Sequence, residues 1–143
     1  PMSKEMKTRS LEQLFKGHCE LMPLETMDPI FNVQRARDAV FAEHLLKSGV
    51  RDGSILIAGN GHVRKDIGVP QFLRRRQPGV RMTTVGFIEV MDNSSHPIDY
   101  GRLFSGAAIP FDYVWFTPRA GNQDHCAKLR KKWGEPKETK IND

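Results

Sequence analysis

Apolar residues along the chain follow two periods, and the change from one to the other outlines the fold. Over residues 4–16, Leu11, Leu14 and Phe15 recur at helical spacing, which predicts a helix ending at Gly17. Asp28-Pro29 reads as a second helix start, an N-cap acid followed by proline at the first helical position. That helix is expected to run to about Ser48 and to stop at Gly49. Ile55-Leu56-Ile57-Ala58 is apolar without a break, as in a parallel strand covered by helices on both faces. A short helix near residues 70–76 and a Thr/Val/Phe/Ile-rich strand over residues 81–90 come next. Residues 92–110 carry no strong period. Tyr113-Val114-Trp115-Phe116 is a third strand, an amphipathic helix is expected over residues 123–133, and the polar tail is expected to fray. The strand–helix–strand order of the first two strands implies parallel neighbours and a right-handed crossover. The expected class is α/β, a partly parallel sheet with flanking helices.

The second helix carries an anomaly. At 100° per residue, Ile30, Val33, Val40, Phe41 and Leu45 share an arc of roughly 140°. Arg37 lies near its middle, Gln34 and His44 lie inside it, and Asp38 falls at its margin. No acid stands three or four positions from Arg37, so its charge calls for a tertiary carboxylate, backbone oxygens or an anionic ligand. Arg35 with Asp38 and Glu43 with Lys47 read as surface pairs.

Chemistry concentrates where the first strand ends, at Gly59-Asn60-Gly61-His62. Open α/β sheets bind ligands beyond the carboxyl ends of their strands, and the glycines allow a sharp turn that presents His62. Glu89 ends the second strand, so His62, Arg37 and Glu89 are expected to face one crevice. The turn is neither a dinucleotide fingerprint, since Arg64 stands where a third glycine belongs, nor a P-loop, which needs Lys-Ser/Thr. The long connection offers His96 and Tyr100 as coordinating side chains, and Tyr113 reads as core.

At 143 residues the chain is one domain's worth, and no apolar run reaches the roughly 18 residues of a membrane span. No apolar leader opens it. A net charge of +5 favours an anionic partner without choosing one. Arg74-Arg75-Arg76 reads as a solvated helix end; without interleaved aromatics, no nucleic-acid partner is expected. Cys19 and Cys126 form no metal or redox motif, and a single bridge and two free thiols both stay open.

Together these pieces resemble the carboxyl-terminal half of a ChaN-like protein of the haem-binding-uptake/Tiki superfamily. The matching residues are Gly17-His18-Cys19, Gln34-Arg35-Ala36-Arg37-Asp38-Ala39, and Ile57-Ala58-Gly59-Asn60-Gly61-His62-Val63-Arg64-Lys65-Asp66-Ile67-Gly68-Val69-Pro70. Asp112-Tyr113-Val114-Trp115-Phe116-Thr117-Pro118-Arg119 and Asp124-His125-Cys126 complete the set. The resemblance implies half of a larger fold shared with erythromycin esterase-like hydrolases, in bacterial periplasmic or surface lipoproteins that bind haem in iron uptake. The family's amino-terminal half, with its Gly-Glu-x-His-like motif, has no counterpart here. The chain is therefore expected to be a fragment or to draw on a second subunit. A half-sheet exposes apolar surface and an unpaired edge, so a homo-oligomer is expected.

Two functions follow. A haem-binding protein would draw its axial ligand from His62 or Tyr100, with His18, His96 and Gln34 as further candidates and Arg64 and Lys65 meeting the propionates. A metal-dependent hydrolase of the Tiki or esterase kind would use His62 as base or as ligand to a divalent ion, with Glu89 nearby and Arg37 orienting it or stabilising an anion. The binding protein is favoured over the enzyme, because the resemblance is to that branch.

Overall fold

The computed structural model describes residues 2–48, 52–94, 96–104, 108–121 and 124–134. They divide into two compact units, one of residues 1–32 with 121–143 and one of residues 33–120. In the first unit, helix α1 (Lys4–Gly17) opens on Ser3, whose hydroxyl oxygen accepts the Met6 N–H at 3.2 Å. A 3-10 turn, Leu24–Thr26, winds directly into α2 (Met27–Ser48). The expected cap at Asp28 is therefore not formed: the turn has already started the helix, with the Thr26 N–H bonded to the Pro23 carbonyl. Asp28 pairs instead with Lys7 at 2.6 Å. Asp124 caps α5 (His125–Trp133) by accepting the Cys126 and Ala127 N–H groups at 2.8 and 3.1 Å. A disulfide joins Cys19, just past α1, to Cys126 in the first turn of α5. The expected helix stop at Gly49, the start at residue 123 and the tail over residues 135–143 lie outside the described residues.

The buried stripe of α2 is not the one its large apolar residues indicate. Met27, Phe31, Asp38 and Ala42 are buried and fall within about 60° of one another at 100° per residue. Val33, Val40 and Arg37 are exposed. In the second unit, Ala42 packs with Val69 and Leu73 of α4 (Val69–Arg76), with Phe41, Leu45, Leu56, Val80 and Met82 against them. These partners meet the helix roughly 100° round from the predicted arc, which leaves Arg37 in solvent.

The sheet among the described residues has two strands, β1 (Val85–Glu89) and β2 (Tyr113–Thr117). They pair in parallel, Val85 opposite Tyr113 and Glu89 opposite Thr117, so the chain is α/β with a small parallel sheet. Residues 54–58, the expected first strand, join no ladder, and Ile55 and Ile57 are 90% and 94% exposed. The inner face of the sheet is tightly filled. A Cβ on Gly86 would lie 2.5 Å from the Phe111 ring, so only glycine lets that ring reach the strand.

The long connection is also more ordered than its sequence indicates. Residues Pro97–Phe104 form a 3-10 helix, and Tyr100 and Phe104 turn into a core with Ile88 and Phe111. Asp112 clamps the two strand starts. One carboxylate oxygen accepts the Thr84 N–H and hydroxyl at 2.9 Å each, and the other takes Lys65 Nζ.

Candidate functional site

His62 sits in a single helical turn, α3 (Asn60–Val63), that follows Gly59. Two contacts place the turn. Asn60 donates to the Phe87 carbonyl of β1 at 2.6 Å, anchoring it beside the sheet. Gly68 lies against its backbone: a Cβ there would stand 2.2 Å from the His62 carbonyl oxygen and 3.0 Å from that of Arg64. No side chain fits that gap, which gives the Gly68-Val69-Pro70 step into α4 its physical reason.

The imidazole is then fixed from α2. Asp38, 5% exposed, accepts a hydrogen bond from His62 Nδ1 at 2.6 Å. Phe41, one helical turn further along, meets the ring edge-on with centroids 5.5 Å apart. An ionised carboxylate only accepts, so Nδ1 carries the proton of this bond and Nε2 is the nitrogen left to face outward. No partner engages Nε2 among the described residues, and a fifth of the His62 side chain is open. Burial raises the Asp38 carboxyl above its ordinary range, while the His62 hydrogen bond and charge, and then Arg35, pull it back. The result is an aligned, electron-rich imidazole, equipped to ligate a metal or to accept a proton.

The other candidates disperse. Arg37 is exposed, so it does not join His62 in a crevice; its neighbour Asp38 takes that place because α2 buries the adjacent stripe. Tyr100 is 3% exposed, and its hydroxyl accepts the Met91 N–H at 3.0 Å and donates to the Ser94 carbonyl at 3.2 Å. It is a core residue, not a loop ligand, since its ring closes the inner face of the sheet. Arg64 is buried, forks onto Asp66 at 2.9 and 2.6 Å, and reaches the Phe104 carbonyl at 2.9 Å. Both it and Lys65, held by Asp112, are committed to the fold rather than offered to propionates. His18 Nδ1 donates to the Leu14 carbonyl at 2.7 Å in the other unit, and His96 is exposed ahead of the 3-10 helix. Gln34, one turn before Asp38 on α2, has a buried Oε1 with no hydrogen-bond partner. Glu89 lines a cavity of about 550 Å³ at the carboxyl end of β1 with Asn60, Phe87, Leu103 and Arg119, the last paired to Asp92 at 2.5 Å. His62 and Arg37 are not in that lining.

Asp38 is the residue that reading the sequence missed. A surface pair with Arg35 was the expectation; Asp38 is instead buried, and Arg35, whose charge still favours the carboxylate, stacks over Phe72 with 4.8 Å to the ring centroid. The available signal was spacing: Met27, Phe31, Asp38 and Ala42 form an i, i+4, i+11, i+15 stripe with one acid in it.

The family model for haem-binding uptake proteins of the Tiki superfamily, ChaN, matches residues 1–73, which include α2 and the Gly59–Gly68 turn with both Asp38 and His62. The chain belongs to the ChaN family. No curated protein and no solved structure matches it. The family's haem sets a test for the donor set. Among the described residues, no three His, Cys, Asp or Glu side chains come together to hold a bare ion. A haem would bring its own nitrogen ligands to the iron and would ask the protein for few more, so a single oriented histidine fits it.

Proposed function

We propose that this ChaN-family chain binds haem, with His62 Nε2 as the atom that would hold the iron and Asp38 orienting the ring. The observation that carries the reading is the 2.6 Å Asp38–His62 bond, which fixes the ring and leaves Nε2 without a partner. Carboxylate–histidine pairs of this kind orient metal-ligating imidazoles and raise their basicity. Bound haem supplies the iron; the chain's own residues present and polarise the imidazole. A role in iron uptake, in a periplasmic or surface protein, is consistent with the Cys19–Cys126 disulfide, because such bonds persist in oxidising compartments.

A second reading has one observation in its favour. An Asp-oriented histidine with a free Nε2 is also a general base. Against it, no hydroxyl or thiol hydrogen-bonds to His62 among the described residues. The haem reading requires the fewer additional groups.

A hemin titration of the purified chain tests it. The expected result is a saturable Soret shift that His62→Ala abolishes while the far-ultraviolet circular dichroism is unchanged. No saturable shift with the wild-type chain, or an equal shift with His62→Ala, overturns the proposal. Ester or peptide turnover that disappears in His62→Ala, without haem binding, favours the second reading.

A further inference from the structure

The cavity of about 550 Å³ at the carboxyl end of β1 has no part in the haem reading. It lies where open α/β sheets take their ligands, beyond the ends of parallel strands, and its volume is that of a small-molecule site. Asp92 past β1 and Arg119 past β2 both contribute to its lining. The cavity is separate from the His62 site. On α3, Asn60 and His62 stand about 200° apart at 100° per residue. Asn60 therefore reaches the cavity and the Phe87 carbonyl, while His62 turns to α2.

Its lining combines apolar surface with polar groups that are partly spent. Phe87 and Leu103 are exposed, and Phe104 is buried behind them. Phe87 and Glu89 belong to the outward face of the sheet, where Tyr113 and Trp115 of β2 are exposed as well. One amide N–H of Asn60 is held by the Phe87 carbonyl at 2.6 Å, and Arg119 is paired with Asp92 at 2.5 Å. The charge left over is negative. Among the described residues the Glu89 carboxylate enters no ion pair or hydrogen bond, and Asn60 Oδ1 accepts none. With Arg119 and Asp92 cancelling, the cavity carries the charge of Glu89 on a chain whose net charge is +5.

We propose that this cavity binds a small organic cation, an ammonium group on an apolar body, with Glu89 as its counter-ion. An ammonium is all donor, so it suits both unspent acceptors, and its bond to the carboxylate is charge-assisted. The Phe87 ring offers a face that attracts cations, and Leu103 and Phe104 give the apolar body its surface. Haem brings carboxylates, which Glu89 repels, so this site goes beyond the haem reading and does not depend on it.

Titrating phenethylamine into the full chain without haem, followed by backbone amide NMR shifts, tests this. The expected result is saturable binding that moves the amides of Glu89, Met91 and Leu103. Phenylacetate, with the same ring and the opposite charge, is expected not to saturate. Glu89→Gln is expected to weaken the amine about tenfold with unchanged circular dichroism, the low end for a hydrogen bond to a charged group. Arg119→Gln frees Asp92 and is expected to tighten the amine, whereas a site that used Arg119 to hold a ligand's carboxylate would weaken. His62→Ala is expected to leave the amine affinity unchanged, so the haem reading and this one fail separately. No saturable shift with phenethylamine overturns the proposal, and so does equal binding of phenylacetate. An indifferent Glu89→Gln, a weakened Arg119→Gln or amine binding lost in His62→Ala also overturns it.

Discussion

Replacing Asp38 with asparagine separates what the residue does for the fold from what it does for His62. The amide keeps an oxygen that accepts the Nδ1–H now bonded at 2.6 Å, and it removes the charge. In the fold, burial raises the Asp38 carboxyl above its reference value of 3.8. A carboxyl raised by folding stabilises the protein while protonated, and that contribution is lost as pH rises through its folded value. At neutral pH the native chain therefore carries an ionised group that its burial disfavours. Asp38→Asn is expected to lose no stability at pH 7 and to flatten the stability curve above the ordinary carboxylate range. Asp38→Ala, which leaves the Nδ1–H without an acceptor, is expected to cost about 1–3 kcal/mol. Haem affinity should move the other way. Removing an outer-sphere carboxylate from a ligating histidine weakens a metal site about 10–100-fold, or about 1.4–2.7 kcal/mol. Thermal unfolding and hemin titration of both variants read the two effects. If Asp38→Asn is as destabilising at pH 7 as Asp38→Ala, or binds haem like the wild type, the reasoning fails.

Three other perturbations are open to measurement. Gly68→Ala puts a methyl against the His62 carbonyl, where backbone has to yield; about 1–3 kcal/mol of stability and part of the haem affinity should be lost, by urea titration and Soret titration respectively. Breaking Cys19–Cys126, separated by 107 residues, should cost about 4.7 kcal/mol if the whole chain unfolds together. If residues 33–120 stay folded, only residues 20–32 and 121–125 are free in the loop, and about 3 kcal/mol is expected. Melting with and without reductant distinguishes these from no effect, and Cys126→Ser should melt like the reduced wild type. Asp112, held down to about 2 first by the Lys65 hydrogen bond and then by the Thr84 backbone, stabilises the fold above the usual carboxylate value. That contribution fades as pH falls from about 4 toward 2, so acid unfolding of Asp112→Asn should lack this component over that window. An unchanged acid transition in Asp112→Asn would count against the clamp.

How much could be read in advance varied with the range of the interactions involved. The helix from Lys4 and the two later strands came out of local periodicity, which acts over a turn or an alternating pair. The parallel neighbours expected, residues 54–58 and 81–90, did not pair, and the second strand pairs with the third instead. Periodicity failed on α2, where the largest apolar residues pointed to the wrong side. Helix wheels weigh hydrophobicity, but α2 lies against Leu56, Val69, Leu73 and Met82, and their position chose the stripe through Ala42. Tyr100 and Tyr113 exchanged places for a similar reason. Tyr100 looked like a loop residue until the 3-10 helix folded it under the sheet, and Tyr113 looked like core until its face of the sheet stayed open.

The chain's own residue order was sufficient to single out His62 after Gly-Asn-Gly, to name the ChaN resemblance and to leave the two cysteines undecided. Those inferences rest on neighbours along the backbone and on backbone angles that glycine alone adopts easily. Which carboxylate faces the imidazole depended on contacts 24 residues apart in sequence, the bond from Asp38 to His62, and local periodicity carries no information about such a contact. The Cys19–Cys126 link, the retirement of Tyr100 and Arg64 into the fold and the open aromatic face of the sheet are of the same kind. Each is settled by which surfaces meet when the chain is packed, and a side chain's exposure is a property of that packing rather than of its own chemistry.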